Sequence, residues 1–126
     1  MPQVTVRYDA RHVRANHLLV KPITKIVADA LSCTDNGGSL MPRDIEVEFR
    51  PFGDIDENNG YTITVQIDAN EYPSRQANLQ ERNKTIAMAL QDLFKKAHVI
   101  LTPDVSNRKA FVWTRLMPAG FAEFNL

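Results

Sequence analysis

Val4-Thr5-Val6-Arg7-Tyr8-Asp9-Ala10 returns in altered form as Ile63-Thr64-Val65-Gln66-Ile67-Asp68-Ala69. Lys25-Ile26-Val27-Ala28-Asp29-Ala30-Leu31 returns as Lys84-Thr85-Ile86-Ala87-Met88-Ala89-Leu90. Both returns keep one register, since 63 − 4 and 84 − 25 each give 59. The first pair alternates apolar and polar residues as a half-buried strand does, and the second has the spacing of an amphipathic helix. A strand and a helix repeating at one offset point to a doubled strand–helix–strand unit. The spacing predicts an α+β fold of order β-α-β-β-α-β, its sheet packed on two helices. A single domain then covers residues 1–126, with repeat one over about 1–55 and repeat two over about 60–126.

Working outward, residues 3–8 read as a strand and 11–19 as an opening helical turn. The main helix then starts near Pro22, because proline is tolerated only in a helix's first turn. Ile23, Ile26, Val27, Ala30 and Leu31 form its apolar stripe. Ile45, Val47 and Phe49 alternate with Glu46, Glu48 and Arg50 in a second strand. Asn59-Gly60 carries the residues of a tight hairpin turn. Tyr61 to Asp68 follows as a strand, with Tyr61, Ile63, Val65 and Ile67 inward. Residues 71–76 read as a loop. A helix over about 78–97 buries Leu79, Ile86, Leu90, Leu93 and Ala97. Residues 102–108 read as a loop and 110–116 as the last strand.

Composition narrows the function classes. Fifteen acidic and fifteen basic residues balance, so no electrostatic footprint for nucleic acid or a membrane surface is present. No apolar run approaches the roughly 20 residues that span a bilayer, and no secretory leader pattern precedes Val4. Cys33 is the single cysteine, which suits a reducing cytoplasm and leaves no intrachain disulfide to form. His12, His17 and His98 lack metal-ligand spacing. Asp54-Ile55-Asp56-Glu57-Asn58 imitates a calcium loop but has no glycine at its sixth position, and Val65 stands where the twelfth-position glutamate belongs. No metal and no cofactor are expected.

The candidate chemistry rests on few residues. Pro2 becomes a secondary amine if Met1 is removed, and a neutral amine is a general base. While Met1 is attached, the same nitrogen is an amide and cannot act so. Met-Pro is equally an ordinary start ahead of a strand. Arg11, Arg50 and Arg75 are candidates to grip a carboxylate through a planar fork of donors; solvated surface charge is the plainer role for any one of them. Glu46 and Glu48 lie on one strand face and suit either water activation or an exposed polar surface.

Met1-Pro2 followed at once by a strand, in two tandem β-α-β units, resembles the tautomerase superfamily of macrophage migration inhibitory factor-like and 5-carboxymethyl-2-hydroxymuconate isomerase-like proteins. The helix with an early proline over Leu19–Leu31 and the strand ending in Leu116-Met117-Pro118 extend the likeness along nearly the whole chain. The resemblance implies a homotrimeric barrel. It also implies Pro2 as acid–base catalyst, moving a proton between carbon and oxygen of an enol or keto acid, and a small carboxylate-bearing substrate. The chain departs from the muconate isomerases where they carry arginines. Glu46 or Glu48 and Glu71 stand there instead, which argues against a dicarboxylate and raises hydratase-like water activation. The alternative is a non-catalytic ferredoxin-like or pseudo-tautomerase binding domain, since a ferredoxin-like chain shares the same element order.

Overall fold

The computed structural model describes residues 1–57, 59–101 and 108–126. The strands are β1 (Gln3–Tyr8), β2 (Glu46–Pro51), β3 (Tyr61–Asn70) and β4 (Lys109–Met117). The helices are α1 (Val20–Leu31), the short α2 (Pro73–Ala77) and α3 (Leu79–Lys96), with 3-10 turns at His17–Leu19 and Pro42–Asp44. The sheet order is β2-β1-β3-β4. β1 runs parallel to β2 and β3 parallel to β4, while β1 and β3 meet antiparallel at the centre. Each unit therefore contributes a parallel strand pair, and the two pairs join back to back.

That order rejects the ferredoxin-like alternative. A split β-α-β unit inserts a strand between its two parallel strands, whereas here both parallel pairs are direct neighbours. It also corrects the hairpin expected at Asn59-Gly60. Both residues adopt left-handed backbone, φ 54° and 82°, so the turn chemistry is right. The strands they join are not paired, because β1 lies between β2 and β3.

The helices cover one face of the sheet. Val4 and Val6 of β1 and Val65 and Ile67 of β3 are buried there against Ile23, Val27 and Leu31 of α1 and Ile86, Leu90 and Phe94 of α3. Fully burying one such aliphatic side chain stabilises by about 1.5–3 kcal/mol. Pro22 sits in the first turn of α1, as its missing N–H requires. Of the helical turn expected over 11–19, only the 3-10 turn at His17–Leu19 forms, with Asn16 Oδ1 accepting from the Leu18 N–H at 2.9 Å. In α3, Phe94 takes the buried place expected of Ala97, which lies just past the helix and is exposed. Residues 71–76 are not all loop, because α2 opens at Pro73. A register shift between Tyr61 and Ile63 turns Tyr61 from the expected inward position, and its ring packs edge-on against Phe111 at 4.8 Å. Apart from Arg108, the loop expected at 102–108 falls outside the described residues. Among the described residues no helix is long and apolar enough to cross a membrane.

Candidate functional site

Pro2 lies at the opening of β1 and is almost wholly buried. Its carbonyl accepts a bond from the Glu46 N–H at 3.1 Å, which extends the β1–β2 ladder by one step and fixes the proline at the sheet's end. Met1 is half exposed, at 49%. The antiparallel register sets Gln3 opposite Asp68, and the parallel one sets Gln3 beside Glu46. Pro2 is thus flanked by the start of β2 and the far end of β3. Gln3 Nε2 donates to Glu46 at 3.2 Å. Asp68 is held by the Arg115 fork through bonds of 2.8 and 3.2 Å. That fork keeps the Asp68 carboxyl below its ordinary pKa, against the opposing effect of partial burial.

The expected arginines divide between the two ends of the sheet. Arg11 follows the far end of β1, roughly 20 Å from Pro2 at about 3.3 Å per strand residue. It forks onto Asp9 through bonds of 3.0 and 2.9 Å, and this arginine is the main cause of a lowered Asp9 pKa. Arg50 stands beside Arg7 in the β1–β2 register, also toward the far end, and bonds Glu48 at 2.8 Å. Arg75 alone shares the Pro2 end, because it follows β3. It is 1% exposed and donates to three carbonyls, Leu31 at 2.7 Å, Asn70 at 2.9 Å and Gly38 at 3.1 Å. Burial depresses its pKa, and Tyr72 lies under the guanidinium at 4.7 Å.

Arg82 completes this arrangement by donating to the carbonyls of Ala30 and Ser32, each at 2.9 Å. Two arginines of the second unit therefore cap the C-terminal carbonyls of α1 in the first, where cations also complement the helix dipole. Of the expected site residues, Pro2, Glu46 and Arg75 come together at one end, Glu48 lies two residues farther along β2, and Arg11 and Arg50 do not join them. The Arg115–Asp68 pair was not singled out from sequence. Its signal was available: Asp68 repeats Asp9 at the offset of 59, and each is the partner of an arginine. No cluster able to hold a metal occurs among the described residues. Asp56 instead clamps a turn, accepting from Arg7 and from the Gly53 N–H.

The four-strand mixed sheet under its helices is a tautomerase-like fold, and solved structures share it. The macrophage migration inhibitory factor of Toxoplasma gondii matches at 18% identity and TM-score 0.55, over 92% of this chain and 90% of its own. A 5-carboxymethyl-2-hydroxymuconate delta-isomerase matches at 12% identity and TM-score 0.58, over 99% and 89%. Malonate semialdehyde decarboxylase, described with decarboxylase and hydratase activities, matches at 9% identity and TM-score 0.51, over 98% and 91%. No family model and no curated protein sequence matches the chain. At these identities the likeness is one of fold.

Proposed function

We propose that the chain is a tautomerase-like isomerase in which Pro2, once Met1 is removed, carries a proton between carbon and oxygen of an enol or keto acid. The observation that carries this reading is the burial of Pro2 at the sheet end where Glu46, Asp68 and Arg115 gather. Burial disfavours a charged amine and lowers its pKa, which raises the neutral fraction that can accept a proton. The neighbouring carboxylates act in the opposite sense, and the Arg115 fork offsets that of Asp68. After taking the proton from carbon, the prolinium is the acid that returns it.

The active form in this reading is a homotrimer in the cytoplasm, where the lone Cys33 thiol stays reduced. β2 and β4 are the outer strands of the sheet, and an uncovered strand edge invites pairing with another chain. Assembly also supplies a carboxylate grip. Arg75 is committed to backbone carbonyls, so Arg11 or Arg50 of a neighbouring copy, both exposed, would hold the substrate. Glu46 beside Pro2 supports a second reading, hydratase-like water activation with Glu48, and the fold shared with a decarboxylase described as a hydratase agrees with it.

The test is enol-to-keto conversion of a simple 2-hydroxy-enoic acid by Met1-processed protein, by Pro2→Ala and by an N-terminally extended form. The expected result is turnover by the processed protein alone. Equal turnover with the amine blocked refutes Pro2 as the base. Absence of turnover in all three, with hydration of the acid that is lost in Glu46→Gln, establishes the second reading.

A further inference from the structure

The two units match in sequence but differ in how their ends are filled. At the offset of 59, Tyr61 corresponds to Pro2 and Leu90 to Leu31. Leu31 and Leu90 are both buried, but Pro2 is almost fully buried and closes the first unit's end, whereas Tyr61 is only partly buried. In the second unit that end stays open as a groove of about 380 Å³ between α3 and β4, within the range of small-molecule sites. Its inner wall is apolar, formed by Ile63, Val65, Leu90, Phe94, Ile100 and Val112.

The opening has a physical cause. Asn83, early in α3, donates to the Val112 carbonyl at 3.1 Å and accepts from the Thr114 hydroxyl at 2.7 Å, clamping that end of the helix to β4. Farther along, each wall carries an alanine, Ala87 on the helix and Ala110 on the strand. Ala110 stands beside Ile63 in the ladder, yet Ile63 is buried and Ala110 exposed. Two methyl groups do not fill the space between a helix and a strand. At the mouth stand Lys95, Lys109 and Arg108, and no carboxylate is among the described residues of the lining. Arg108 also reaches the His12 ring at 3.1 Å. Residues 102–107, which adjoin the groove in sequence, lie outside the described residues.

We propose that this groove binds a medium-chain monocarboxylate, its hydrocarbon chain along the Leu90–Phe94 wall and its carboxylate between the exposed Lys95 and Lys109. The charge at the mouth selects an anion, and the wall selects an unbranched apolar tail over a polar metabolite. The site is separate from the chemistry at Pro2 and does not depend on it.

Calorimetric titration of the full chain with hexanoate, octanoate and decanoate, each below its micelle concentration, tests the assignment. One decanoate should bind per chain, with affinity rising about three- to fourfold for each added methylene. 1-Decanol and decyltrimethylammonium should bind more weakly. Lys95→Glu with Lys109→Glu, both exposed and so compatible with folding, should weaken decanoate about three- to tenfold and favour the decyl cation. Ala110→Trp, which fills the groove, should abolish binding, and circular dichroism reports whether that variant folds. No binding, binding blind to head-group charge, or binding unchanged in the lysine double variant overturns the proposal.

Discussion

Replacing Arg75 by methionine tests the reading of this arginine as a structural clamp. Its guanidinium gives three charge-assisted bonds while only 1% exposed. Methionine keeps much of the volume and removes every donor. The Gly38 carbonyl would still accept from the Cys33 N–H at 3.0 Å, so the Leu31 and Asn70 carbonyls bear the loss. Leaving a buried carbonyl unsatisfied costs about 1–3 kcal/mol. Against this stands relief from desolvating a cation that has no carboxylate bonded to it. A net loss of about 2–4 kcal/mol follows, or roughly 10 °C in Tm for a chain of this size. Urea unfolding at one fixed chain concentration measures it without confusion from assembly. Arg75→Lys should recover only part of the loss, because a compact ammonium cannot span three carbonyls as the fork does. Stability of Arg75→Met within about 1 kcal/mol of wild type would refute the clamp. If that protein also lost enol turnover, Arg75 would return to the substrate site.

Leu90→Ala removes a side chain 4% exposed from the centre of α3 and should cost about 2–5 kcal/mol by chemical denaturation; an unchanged curve removes its place in the core. Asp68 has a depressed pKa when folded, so its pairing with Arg115 stabilises above the unfolded carboxyl value of about 3.9 and fades as pH falls through the lower folded value. Asp68→Asn should therefore destabilise at pH 7 and converge on wild type in acid, and a gap constant from pH 7 to pH 2 would contradict that linkage. Static light scattering should give about 43 kDa, three chains of 14.3 kDa, and a monomer at working concentration would sink the proposed assembly.

The elements were legible from the sequence because their signals are local. Alternation at Val4–Tyr8 and Ile63–Ala69 sets which strand faces are buried, and helical spacing from Ile23 to Leu31 and from Ile86 to Leu90 sets which helix faces cover them. The pairing of strands was less legible. Asn59-Gly60 has the backbone of a hairpin turn without a hairpin, because a turn's chemistry fixes its own dihedrals and says nothing of which strand lies beside the next. The bulge at Tyr61 was hidden for a similar reason, since one inserted residue reverses a face without altering composition. Pro2, Glu46 and Arg75 could be suspected one by one, but their common end of the sheet depends on β1 and β3 running antiparallel. Arg75 was read as a binding group because an arginine after a strand is usually solvated; only the fold brings the end of α1 to it.

The capping of α1 by Arg75 and Arg82 also explains why the two units could diverge without separating. The first unit supplies the carbonyls of Ala30, Leu31 and Ser32, and the second supplies the guanidinium groups that satisfy them. Neither unit alone has a closed set of buried polar groups, since the α1 terminus would lack donors and Arg75 would keep only the Asn70 carbonyl of its three acceptors. The antiparallel β1–β3 ladder joins the units at the sheet, and the arginines join them again at the layer of helices. With the halves locked at two levels, the end of the first unit can stay packed around Pro2 while the equivalent end of the second holds a groove. An opening of that size costs stability wherever side chains fail to meet, and the double fastening of the two units offsets that cost.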